Sequence, residues 1–134
     1  MKATPSSQVE PAAADPKKFT GTVVQETILE AQTEGGMRVF RFSYEPEAWS
    51  RWHTHDGEQA LYVLSGSGAI IGTDGQVIPM GAGDAVYVEP GMRHWHGAAR
   101  DQFLVHLAFN ASGGTEWAEE VTPEAYRSAF GQAS

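Results

Sequence analysis

The feature that most restricts how this chain can fold is its punctuation. From residue 19 to residue 109 it runs as short segments rich in β-branched and aromatic residues. They are cut by turn signals at Glu34-Gly35-Gly36, Asp56-Gly57, Gly66-Ser67-Gly68, Thr73-Asp74-Gly75, Gly81-Ala82-Gly83-Asp84 and Glu89-Pro90-Gly91. Glycine supplies the positive φ of tight turns, and proline presets their first torsion. The segments left between them predict strands over 20–29, 37–44, 50–55, 59–64, 69–71, 76–78, 85–88, 94–98 and 103–109. Many short strands without intervening helices make the fold class all-β: an antiparallel sandwich, jelly roll or barrel. At the end, Thr122-Pro123 reads as a helix N-cap followed by proline at the first helical position. Val121, Tyr126 and Phe130 recur at roughly helical spacing, so a short C-terminal helix is expected, within a helical segment from about residue 115.

The 134 residues make one domain, large enough to bury a core without disulfides. Residues 1–18 hold little that could be buried and read as a disordered tail ahead of a domain over 19–134. The chain has no cysteine, which excludes thiol catalysis, thiolate metal sites and disulfides. The net charge is −8, and beyond the three lysines of the first eighteen residues every cation is an arginine. No basic stripe exists to follow a phosphate backbone, which argues against a nucleic-acid partner. Met1 to Val9 contains no apolar run, so neither a secretory signal nor a membrane span is expected, and the default is a cytoplasmic protein.

All five histidines lie between positions 53 and 106, and four form two His-x-His pairs, His53-Thr54-His55 and His94-Trp95-His96. Residues two apart in a strand share a face, so each pair aims two imidazoles in one direction. If that direction is the barrel interior, a compact nitrogen-rich pocket results, and imidazole is the commonest ligand of divalent transition metals. A lone histidine in a strand is usually a surface or satisfied core residue. Two pairs on separate strands are much harder to explain that way.

Residues 53–66, His-Thr-His-Asp-Gly-Glu-Gln-Ala-Leu-Tyr-Val-Leu-Ser-Gly, resemble the first motif of the cupins. Residues 83–94 resemble the second, with Gly83-Asp84, Pro90-Gly91 and His94 in place. The resemblance implies a cupin-type antiparallel β-barrel. The chain departs from the pattern at Gln59, where the motif has Glu, and at Glu47, where it has Gly. It also departs at Glu89 and Ala98, where it has Pro and Asn. Glu58 also lies close to the first pair, but strand parity with Leu61 and Val63 favours Gln59. A narrower similarity covers Trp52-His53-Thr54-His55, residues 93–99, Val105-His106-Leu107-Ala108 and the Thr-Glu-Trp-Ala-Glu-Glu-Val-Thr-Pro tail. It is to small bacterial cupins that include manganese-dependent hydroxynitrile lyases, and to cupins related to carboxymuconolactone decarboxylase-type proteins.

That resemblance implies His53, His55, Gln59 and His94 as metal ligands, with His96 and His106 as acid/base groups. The metal would be divalent, manganese favoured, with iron, nickel, cobalt or zinc permitted. Three neutral imidazoles and an amide would leave the ion its full charge, suiting it to polarise an oxygen. The implied activity is a lyase acting on a small hydroxylated or carbonyl substrate. A cupin dioxygenase and a non-enzymatic small-molecule-binding module are the alternatives. His96 could instead orient a ligand, and His106 could be a buried polar residue. Trp49-Ser50-Arg51 and Asp56 differ from those lyases at positions expected near the cavity mouth. Phe40, Phe42, Tyr44, Leu61, Val63 and Leu104 could line the cavity, and a homodimer or higher oligomer is expected.

Overall fold

A computed structural model describes residues 1–131. Its strands, in chain order, begin with β1 (Ala12–Ala13), β2 (Phe19–Thr20), β3 (Val23–Leu29), β4 (Arg38–Tyr44), β5 (Trp49–Ser50) and β6 (His53–His55). They continue with β7 (Gln59–Gly72), β8 (Val77–Gly81), β9 (Ala85–Val88), β10 (His94–Ala98), β11 (Leu104–Asn110) and β12 (Thr115–Trp117); a 3-10 turn (Ser6–Gln8) precedes the strands and one α-helix among the described residues, α1 (Pro123–Phe130), follows them. All pairings are antiparallel. One sheet runs β1-β3-β4-β11-β7-β9; the other centres on β10, flanked by β7 and β8 on one side and by β5 and β6 on the other. The two curl into an all-β antiparallel barrel.

β7 belongs to both sheets, and here the structure corrects the expectation of a turn at Gly66-Ser67-Gly68. The strand is continuous for 14 residues: Gln59 to Gly66 pair with β11, and Gly68 to Gly72 pair with β10. Gly66 has φ 81°, and a Cβ there would lie 1.8 Å from the Phe103 carbonyl oxygen. Glycine at this point lets the strand bend from one sheet into the other without reversing the chain.

Strand alternation decides what faces the interior. Leu61, Val63, Leu104, Ala108, Tyr44 and Val88 point inward and are buried together. A register shift at Val105/His106 sets His106, Ala108 and Asn110 directly across from Val63, Leu61 and Gln59, on the same inward face. A second apolar cluster lies outside the sheet, where α1 covers Trp49, Ala69, Ile71 and Trp95 with Val121 and Tyr126. Trp49 stacks on Tyr126 at 4.3 Å and donates to the Val121 carbonyl, and the Tyr126 hydroxyl donates to that of Ala98. The Thr122 side chain accepts from the Ala125 amide, the expected N-cap. The helix is confined to Pro123–Phe130; Thr115–Trp117, ahead of it, is a strand pairing with β6. In the N-terminal segment, Ala12–Ala13 pairs with β3 and stays exposed.

Among the described residues Glu47 alone is a non-glycine with positive φ, at 62°. It occupies the position where the first motif has glycine. The left-handed region costs an L-residue about 1–2 kcal/mol, while glycine would add about 0.5–1 kcal/mol of chain entropy. Its contact with Arg100, 3.9 Å and half exposed, contributes little. Glu47→Gly is therefore expected to stabilise the fold by up to about 1 kcal/mol, read as a raised urea midpoint with unchanged slope. An unchanged or lowered midpoint would show that the Arg100 contact outweighs the strain.

Candidate metal centre

The site is assembled from cross-strand partners. His94 on β10 is the register partner of His53 on β6, and their rings lie 4.3 Å apart. His55 lies 5.0 Å from the His53 ring and 5.3 Å from His94. Trp95, between the two histidines of its pair, points the other way into the cluster beneath α1. All five histidines are buried.

Their outer nitrogens are held. His53 Nδ1 donates to the Arg51 carbonyl at 2.8 Å and His94 Nδ1 to that of Met92 at 2.9 Å. A carbonyl can only accept, so in the neutral rings both Nε2 atoms carry a lone pair. His55 Nδ1 contacts Thr115 Oγ1 at 2.9 Å across the β6–β12 pair. Gln59 Nε2 donates to Oδ1 of its register partner Asn110 at 2.9 Å, which leaves the amide oxygen for another contact. His55 Nε2, His94 Nε2 and Gln59 Oε1 are buried and have no protein partner. Buried polar atoms are costly to leave unpaired, and three beside one histidine cluster, with His94 Nε2 and Gln59 Oε1 held as lone-pair donors by their other hydrogen bonds, fit a cation. Glu58 lies outside, taking the Tyr87 hydroxyl.

His53, His94 and His96 each also offer a ring nitrogen, all within 4.8 Å of one another, a group that could hold a metal ion. His96 differs from the others because its Nδ1 is 2.8 Å from the Tyr44 hydroxyl. That hydroxyl lies 3.4 Å from His106 Nε2, and His106 Nδ1 donates to the Leu107 carbonyl. His106 is therefore held as the tautomer whose Nε2 accepts. Burial pulls the pKa of every histidine down, with neighbouring imidazoles adding to the effect at His53, His55 and His96. His55 and His106 fall to about 4. The rings are thus neutral at physiological pH and able to act as ligands or proton acceptors.

A cavity of about 280 Å³ opens onto this cluster. His53, His55, Gln59, His96 and His106 line it, with Phe19, Phe40, Phe42 and Trp117 as its aromatic wall. Of the apolar residues expected there, Phe40 and Phe42 do so, whereas Leu61, Val63 and Leu104 belong to the core. The positions expected at the mouth also resolve differently. Trp49 is beneath α1, Ser50 accepts from the His96 amide, and Arg51 reaches the Ala118 carbonyl. A larger groove beside the N-terminal segment contains no histidine. Tyr44, also expected at the cavity wall, lies in the core with its hydroxyl between His96 and His106; Asn110 and Thr115 were not legible as site residues, because each acts through a partner distant in sequence.

A 37% identity over 112 residues, 81% of this chain and 86% of the other, relates it to the (R)-mandelonitrile lyase of Granulicella tundricola. A cupin-like protein from Thermotoga maritima superposes with TM-score 0.83 at 33% identity, over 90% of this chain and 93% of that one. The polyketide cyclase RemF from Streptomyces resistomycificus shares the fold at TM-score 0.69 and 17% identity, over 95% and 91% of the two chains. The cupin domain model matches residues 40–109, the stretch that carries both motifs, the bent strand and all five histidines. With barrel, histidine pairs and sequence in agreement, the chain belongs to the cupin domain family.

Proposed function

We propose that this chain is a metal-dependent lyase of the hydroxynitrile lyase type, acting on a small hydroxylated or carbonyl compound. The observation that carries the reading is the convergence of three buried polar atoms without a hydrogen-bond partner, His55 Nε2, His94 Nε2 and Gln59 Oε1, beside His53. These four residues would hold a divalent ion, manganese by the family resemblance. The similarity to a mandelonitrile lyase supports the choice of reaction. When bound, the ion would supply Lewis-acid stabilisation of negative charge on the substrate oxygen.

The remaining groups handle protons. His106 Nε2, kept as an acceptor by the Nδ1 bond to Leu107, takes the hydroxyl proton of a cyanohydrin. As the carbonyl forms, the carbon–carbon bond to the nitrile breaks and its electron pair leaves as cyanide, which is released as hydrogen cyanide after taking a proton. The Tyr44 hydroxyl, between His96 and His106, can pass a proton from one ring to the other.

The test is anaerobic cleavage of mandelonitrile, followed as benzaldehyde release by wild type and His106→Ala at matched metal content. Loss of cleavage in the variant supports the reading. A metal-loaded wild type that leaves cyanohydrins intact, or that turns over only with oxygen uptake, would overturn it and favour the dioxygenase. Tyr44→Phe removes only the hydroxyl and is expected to lower kcat about tenfold with KM and metal content unchanged. An unaltered kcat would reduce Tyr44 to a packing residue.

A further inference from the structure

We infer that the substrate carries an anionic group, a carboxylate, at the end remote from the hydroxyl or carbonyl that faces the histidines. This rests on the proposal that the cavity is the substrate site. Its fifteen lining residues include no Asp or Glu and two cations, Lys18 and Arg38, in a chain of net charge −8. The Lys18 ammonium sits 5.4 Å above the Trp117 ring, and that ring lies 4.7 Å from His53. Arg38 opens β4 on the same strand face as Phe40 and Phe42, and its register partner is Asn110, which orients Gln59. The two cations therefore stand at the cavity rim, with the aromatic wall between Arg38 and the deeper His106.

Four arginines make the contrast: Arg41, Arg51, Arg93 and Arg100 each pair with a glutamate, and Lys2, Lys17 and Arg127, which among the described residues do not, lie away from the cavity lining. Among the described residues, neither Lys18 nor Arg38 has a carboxylate in such a pair. Arg38 Nη2 donates to the Gly113 carbonyl at 2.6 Å, and the guanidinium has five donors in all. Asp56, in the adjacent loop, does not line the cavity, and its carboxylate takes the Gly114 amide. A planar guanidinium with spare donors suits a carboxylate, and like-signed charges at the rim of a cavity with apolar walls concentrate their field on an entering anion. The volume, at the lower edge of the usual range of about 300–1,000 Å³, limits the ligand to a small arene or short acyl chain.

The experiment is calorimetric titration of the full chain, metal-loaded and metal-stripped, with para-formylbenzoate and with benzaldehyde. The anion is expected to bind at least about tenfold tighter in both forms. The preference should shrink to under about threefold in Lys18→Gln/Arg38→Gln and persist in the charge-retaining Lys18→Arg/Arg38→Lys. It should also weaken as salt is raised on the wild type, a readout that needs no variant. Equal affinities, or a preference that survives the Gln pair, would overturn the inference. So would a preference lost on metal removal, which would place the carboxylate at the histidines. The reaction is judged separately by neutral mandelonitrile: its cleavage without anion preference removes this inference alone, and anion preference without cleavage removes only the lyase.

Discussion

His94→Ala is expected to fold, to bind metal more than about 100-fold more weakly than wild type and to lose turnover at least as far. In the proposed ligand set no carboxylate holds the ion by charge, so each imidazole carries a large share of the affinity. Residues that merely orient ligands contribute about 10–100-fold, and a ligand should contribute more. The fold should tolerate the change: His94 Nε2 has no protein partner, and the one bond lost, from Nδ1 to the Met92 carbonyl, is worth about 1 kcal/mol. Elemental analysis of protein purified without added metal, alongside a competition titration, reads the effect. Thr115→Val, which removes only the contact to His55 Nδ1, should weaken metal by about tenfold. The fourth ligand is tested in the same series. His55→Ala should lose the metal, whereas His96→Ala should keep it and lose turnover. The reverse would hand the ligand role to His96, whose nitrogen also falls in the His53–His94 cluster.

The second large effect is acid lability of the metal-free protein. His106 is fully buried, and desolvation holds its pKa at about 4 against an ordinary 6.5. A histidine with a lowered folded pKa binds fewer protons folded than unfolded between those values. Its contribution is therefore fully present above pH about 6.5 and is lost as pH falls toward about 4. For His106 this amounts to about 3 kcal/mol across the window, a large part of a domain's stability. His53, His55, His94 and His96 shift in the same direction, so the slope should exceed one proton. Urea midpoints of metal-stripped protein should fall steeply between neutral pH and pH about 5, with the slope reduced in His106→Leu. Midpoints flat across that window would mean that the rings are not held neutral by burial. Bound metal should protect the fold, since it binds only the native, deprotonated site.

Parts of this molecule were legible without coordinates, and the reason is locality. A His-x-His pair in a strand puts both rings on one face wherever that strand goes, so the interior cluster followed once the strands were recognised. The same parity separated Gln59 from Glu58, and the Thr122-Pro123 cap located the helix start. Gly66 misled because a glycine of positive φ bends a strand as readily as it turns a chain, and only the carbonyl of Phe103 pressed against it decides which.

What tertiary structure alone decided were the partnerships. Strand pairing brought Asn110 to Gln59, Thr115 to His55 and Trp117 to His53. Closure of the barrel put the Tyr44 hydroxyl between His96 and His106. The two rim cations come from residues 18 and 38, the first read from composition as part of a tail. The histidine positions and the barrel pattern depend on spacings within single strands, which the sequence determines by itself. The proposed proton path, the orientation of the candidate ligand atoms and the charge at the mouth depend on which strands become neighbours. That choice rests on burial summed over the whole chain, and no local run of residues encodes it.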